Sequence, residues 1–245
     1  MEANKRICLL DEIRGAAVLC MIFYHTFYTL ATIFSIPFAY RVLAVFEPID
    51  PYFATIFIVI SGIVSQLSRS NLKRGLKLAA VAAAVTLVTY FLVPQDVILF
   101  GILHFLAVAM IWYGLTFKWR EKIPLAVGLI SCAVLTFCFA WVEFGKFAAV
   151  IPLPGFLYKT NLLFPFGMYS ATFYSADYFP ILPWIFVFLF GTYLGRLAKA
   201  GKFPAFTYKS RVPFLSFIGK HALWIYVLHQ PVIISIAWII TRIVS

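Results

Sequence analysis

The chain has 245 residues, 63% of them hydrophobic and 12% charged, with a net charge of +11 and a mean hydropathy of +0.96. A soluble domain carries about 25% charged residues, so this composition excludes one and points to an all-α, polytopic membrane helix bundle. The positive charge would suggest nucleic acid in a soluble protein. Here the cations cluster between apolar runs, as the positive-inside rule requires, and nucleic acid is not an expected partner.

Seven membrane spans are predicted, over about 13–37, 51–67, 76–93, 97–117, 123–142, 180–197 and 222–240, in one transmembrane domain covering 1–245. With the N-terminus inside and the C-terminus outside, sixteen of the twenty Lys and Arg residues fall on inside segments, Lys5 among them. Arg41, Lys146, Lys159 and Arg242 fall outside, and the imbalance supports this orientation. The cysteines, Cys8, Cys20, Cys132 and Cys138, are scattered through apolar runs and near the N-terminus, not spaced as a disulfide framework. A long first apolar run without a small-residue cleavage site argues against a cleaved signal peptide.

The stretch Leu9–Leu30, which leads into and fills most of the first span, carries Asp11, Arg14 and His25. On a helix, Arg14 and His25 share a face and lie roughly 16 Å apart along the axis, with Asp11 one turn before Arg14. Ionisable groups on one stripe of a spanning helix face protein or a water-filled cavity and mark a functional site. The plainer reading of Arg14 is an inside anchor paired with Asp11. The second span holds Ser61 beside a glycine at mid-membrane.

The inside loop SQLSRSNLKRGLK carries Arg69, Ser70, Asn71, Lys73 and Arg74. It satisfies the positive-inside rule, and it equally suits the phosphates of a nucleotide-like donor through charge-assisted hydrogen bonds. His104 is expected about seven residues below the outer end of the fourth span. The outside segment 144–179 is aromatic, proline-broken and poor in charge, suited either to a platform for a sugar-like acceptor or to the membrane interface. It leads into SADYFPILPW, with Asp177, Tyr178 and Trp184 at the mouth of the sixth span. The last span contains His229 and Gln230 before Pro231, whose ring should kink the helix. No spacing of histidines and acids suits a metal, and none is expected.

The stretches RICLLDEIRGAAVLCMIFYH, FIVISGIVSQLSRSNLKRGLKL, ILFGILHFLAVAM, DYFPILPWIFVFLFGTYLGRL and FLSFIGKHALWIYVLHQP cover most of the spans in order. Together they resemble bacterial members of the heparan-α-glucosaminide N-acetyltransferase catalytic-domain family. The first stretch alone, with an arginine ahead of a histidine in the opening span, also resembles the membrane acyltransferase-3 family. The resemblance implies an acyltransferase of the bacterial cytoplasmic membrane that uses acetyl-CoA or another acyl-CoA from inside. The acceptor would be an amine or hydroxyl on an extracytoplasmic sugar or glycan.

By the same resemblance, His25 is the general base or a transient acyl carrier, with Arg14 and Asp11 at the catalytic centre. Arg14 and the 69–77 loop would hold the donor's phosphates, and Asp177 with the aromatic loop would face the acceptor. Ser61, His104, Tyr178, Trp184, His229 and Gln230 complete the expected substrate contacts. The partners implied are membrane lipids, acyl-CoA, the glycan and, as an option, further copies of the chain. The alternative reading is a small proton-coupled transporter or flippase with the intramembrane histidines as a relay.

Overall fold

The computed structural model describes residues 6–244, so Lys5 lies outside the described residues. Nine α-helices are present among them: α1 Cys8–Thr32, α2 Pro37–Phe46, α3 Asp50–Leu67, α4 Asn71–Leu92, α5 Ile102–Arg120, α6 Leu125–Phe139, α7 Ile181–Lys199, α8 Pro213–Lys220 and α9 Ala222–Val244. Seven are long and apolar enough to cross a membrane, in the order expected. The chain is an integral membrane protein and nearly all-α.

Two helices were not anticipated. The short α2 stands where an outside loop was expected, and α8 stands where a basic inside loop was expected. Each has proline in its first turn, where a fixed φ and a missing N–H cost the helix nothing. The span edges also shift. The first helix starts at Cys8, five residues before the predicted edge. The fourth span, α5, starts at Ile102, five residues after its predicted edge.

The chain divides into two compact units, one of Met1–Phe57 with Phe203–Ser245 and the other of Ile58–Lys202. In the first unit α1 packs against α2, α8 and α9. The contact with α8 is set by two glycines: a methyl group at Gly15 would clash with the backbone of Leu215, and one at Gly219 with the backbone of Asp11. Small residues let helix backbones approach closely in a membrane, where packing replaces the hydrophobic drive between helices. Glu12, buried on α1, fastens the entry to α8. Its Oε1 accepts from Ser210 Oγ at 2.8 Å, Arg211 N at 2.7 Å and Val212 N at 3.0 Å, which satisfies N–H groups that a helix start leaves open.

In the second unit α4 packs on α5, and α6 and α5 on α7. The inner part of α3 lies against α7 by the same device, since added methyl groups at Gly62, Gly191 and Gly195 would strike Phe188, Val59 and Gln66 or Ile63. Leu182 near the start of α7 is extended (φ −99°, ψ 129°), as a residue before proline prefers. The segment between α6 and α7 is not featureless. After a 3-10 turn at Val142–Phe144 comes an antiparallel hairpin of two-residue strands, β1 Lys146–Phe147 and β2 Ile151–Pro152, which pairs Lys146 with Pro152. Short 3-10 turns follow at Gly155–Tyr158 and Phe164–Phe166.

Candidate active site

The polar centre of the first unit is where α1 meets α9. His25 and His229 lie with ring centroids 5.0 Å apart. Gln230, the next residue on α9, approaches His25 Nδ1 with its amide nitrogen at 3.4 Å. The amide oxygen of Gln230 accepts a hydrogen bond from Thr29 Oγ1 at 3.1 Å. Thr29 is one turn after His25 on α1 and fully buried, so one helix face presents both the hydroxyl and the imidazole to Gln230. His229 Nδ1 hydrogen-bonds the Tyr226 carbonyl on its own helix.

Residue counts along the spans are expected to put His25 nearer the outer end and His229 nearer the inner end. The rings nevertheless meet, and α9 runs through Pro231 to Val244 without a break in helix. The sequence could flag each histidine as costly in a span, but not that these two would face each other.

With the Gln230 amide nitrogen facing His25, these contacts imply a tautomer for each ring. An amide NH2 can only donate, so His25 Nδ1 is the acceptor and its proton sits on Nε2. A carbonyl can only accept, so His229 carries its proton on Nδ1 and leaves the Nε2 lone pair bare. That Nε2 is buried and has no hydrogen-bond partner. Buried polar atoms without partners are rare in folded proteins.

The remaining members of the α1 stripe are engaged elsewhere. Asp11 is buried and accepts from Arg6 Nε at 2.6 Å, and Arg14 Nη1 stands 3.7 Å from its other oxygen. The ion pair therefore gathers at the start of α1, while the imidazole cluster lies about three turns further on.

In the second unit, the residues expected at the outer ends of the spans are brought together around the start of α5. His104 sits in the first turn of α5 instead of deep in the span. Its Nδ1 accepts the Gly101 N–H at 3.2 Å, and its Nε2 lies 2.9 Å from Thr86 Oγ1. Thr86 donates to the Ile98 carbonyl at 2.7 Å, so it accepts from His104, and both ring nitrogens are used. Asp177 Oδ2 accepts the Ile102 N–H at 3.1 Å, placing a negative charge at the positive end of the helix.

Tyr178 donates to the Phe164 carbonyl at 2.5 Å and packs against Tyr169 and Phe173. Burial first, then the nearby Glu143 carboxylate, hold the Tyr178 hydroxyl above its ordinary range, so it remains a donor. Trp184 packs tilted against Phe179, with ring centroids 5.2 Å apart. The loop is thus a packed aromatic cluster latched to α5.

The basic loop opens α4. Ser70 is its N-cap, accepting the Lys73 N–H at 3.4 Å, and Asn71 is buried with its amide donating to the Ser65 carbonyl at 2.8 Å. Arg69, Lys73 and Arg74 are exposed, and none is in an ion pair among the described residues. Ser61 is buried on α3, where its carbonyl accepts the Ser65 hydroxyl at 2.8 Å.

One polar network was not anticipated. Tyr113 on α5 donates to Gln66 Oε1, and Gln66 donates to Glu121 at 2.9 Å. Glu121 stands 3.5 Å from Arg196. Arg196 donates to the Ile123 and Arg120 carbonyls, and Arg120 lies over the rings of Trp112 and Tyr113 at 4.6 Å. In the sequence these charges look like ordinary inside anchors. Only the buried Gln66, which would be costly unpartnered in a span, could have signalled the network. Among the described residues no cluster of three metal-ligating side chains occurs.

Residues 6–231 match the family described as heparan-alpha-glucosaminide N-acetyltransferase, catalytic. No curated protein and no solved structure matches the chain.

Proposed function

The chain belongs to the heparan-alpha-glucosaminide N-acetyltransferase catalytic family, and from that premise we propose that it moves an acetyl or acyl group from cytoplasmic acyl-CoA to an amine or hydroxyl of an extracytoplasmic sugar or glycan. The observation that carries this reading is the half-buried cluster of His25, Gln230 and His229 within membrane spans, in a chain of a membrane acetyltransferase family. Acyl transfer needs a group that manages a proton at the attacking atom and one that stabilises the carbonyl oxygen. Two adjoining imidazoles supply both within an apolar interior.

The other assignments follow the chemistry of each region. In the second unit the exposed cations Arg69, Lys73 and Arg74, with Ser70 and Asn71 shaping their loop, engage the donor's phosphates. Asp177, Tyr178 and Trp184 hold the aromatic loop that meets the acceptor. Asp11 keeps Arg14 oriented, and Ser61 and His104 support the helices that carry these groups. The N-terminus lies inside, at a bacterial cytoplasmic membrane, with the C-terminus outside.

A proton-coupled transporter is the second reading, favoured by the same contact between two intramembrane histidines. The deciding experiment is CoA release from labelled acetyl-CoA by protein in nanodiscs, with glucosamine as acceptor. Turnover that saturates in donor, and weaker donor binding when Arg69 and Arg74 become Gln, are expected. Absence of both donor binding and CoA release would overturn the reading and favour transport.

A further inference from the structure

The hydrogen bonds around the two histidines assign them different parts in the reaction. We propose that His229, through its bare Nε2, is the base that takes the acceptor's proton, while His25 presents an N–H to the acyl carbonyl oxygen. This rests on the acyltransferase reading above and departs from the role that the family resemblance implies for His25.

The argument is one of hydrogen-bond capacity. A neutral imidazole has one N–H and one lone pair. In His25 the lone pair is on Nδ1 and is taken by the Gln230 amide at 3.4 Å. In the arrangement present, the oxygen of Gln230 accepts from Thr29 at 3.1 Å and its nitrogen faces His25. The group left over on His25 is therefore the Nε2–H, a donor without lone pair. A base or acyl carrier needs the lone pair, so His25 in this arrangement serves neither role.

In His229 the situation is reversed. The Tyr226 carbonyl takes the Nδ1–H, and the lone pair on Nε2 is left over. His229 is 8% exposed, and its Nε2 meets no donor among the described residues. An unsatisfied buried acceptor is costly, and a bound amine or hydroxyl would supply the missing donor. With the rings 5.0 Å apart, one reacting acyl group can lie within reach of both leftover functions.

The step balances without any further reagent. The acceptor nitrogen or oxygen attacks the thioester carbon and forms the new C–N or C–O bond. His229 Nε2 takes the acceptor's proton. His25 Nε2–H hydrogen-bonds the carbonyl oxygen as charge builds there, and keeps its proton. The C–S bond breaks, and His229 hands the proton to the departing CoA sulfur, returning to its starting form. Gln230 acts through His25 and is a positioning residue.

Substitutions that keep one ring atom and remove the other test this. In His25→Gln the amide nitrogen stands where Nε2–H stood, so the donor is kept and the possibility of a base or acyl carrier is removed. In His229→Asn the amide nitrogen can still donate to the Tyr226 carbonyl, but no base remains. CoA release with glucosamine in nanodiscs is expected to stay within about tenfold of wild type in His25→Gln and to fall about 10²–10⁴-fold in His229→Asn. Donor binding should be kept in both, which shows that each variant is folded.

The reverse pattern, His25→Gln dead and His229→Asn near wild type, overturns the assignment and makes His25 the base or carrier. Equal retention in both, or equal loss of both donor binding and turnover, overturns it as well. No CoA release from wild type overturns the acyltransferase reading itself, a distinct failure.

Discussion

Histidine occurs among the polar residues of both units, and the two environments differ in one respect. In the second unit His104 has both ring nitrogens employed, one by the Gly101 N–H and one by Thr86. Asp177 beside it caps the same helix. In the first unit His25 and His229 each keep one function unspent, an N–H on one ring and a lone pair on the other. A polar group whose capacity is filled by the protein holds the fold together. A buried group with capacity left over costs stability and is available to a substrate. The contrast separates residues that look equivalent in sequence.

The contrast can be broken experimentally from either side. After His229→Asn, the largest effect is expected from His25→Ala, which removes the donor at the carbonyl oxygen and should lower CoA release about 10²–10³-fold while donor binding is kept. Next comes His104→Leu. It strands the Gly101 N–H and the Thr86 hydroxyl and should cost about 1–3 kcal/mol of stability, read as a lower unfolding midpoint, with turnover per folded molecule retained. Collapse of turnover without a change in the midpoint would move His104 into the site and erase the distinction.

A smaller effect is expected from Gln230→Glu, which replaces the amide donor to His25 with an acceptor and favours the opposite tautomer. kcat should fall about tenfold, of the order of one neutral hydrogen bond, with KM for the donor unchanged. A purely structural role would instead lower the amount of folded protein. Smallest of all is Asp177→Asn, which keeps the shape of the cap but removes its charge. It should cost about 0.3–1 kcal/mol, visible in the unfolding midpoint and not in kcat.

Much of the fold was legible because a spanning helix announces itself by length and apolar content, and all seven spans follow in order. What was missed came from partners distant in the chain. The start of α5 depends on Asp177, a residue 75 positions later that caps Ile102, so the span edge and the depth of His104 were misplaced. The helix α8 was hidden because eight residues between basic stretches give a weak periodic signal. Its anchor, Glu12, lies about 200 positions away.

The candidate site was legible in part. His25 and His229 stood out as costly in apolar runs, but their contact is a property of how α1 and α9 pack, which no single span encodes. Asp11, which shared the stripe with His25, pairs instead with Arg6 and Arg14. Periodicity says which residues share a helix face, not which neighbour each will find.

The most direct measurement is the tautomer of each ring. The chain has four histidines, so nitrogen NMR of histidine-labelled protein in lipid nanodiscs, with single His→Gln variants for assignment, can resolve them. Protons on Nε2 in His25 and His104 and on Nδ1 in His229 are expected. Finding His25 protonated on Nδ1, or His229 on Nε2, would contradict the division of roles between the two rings.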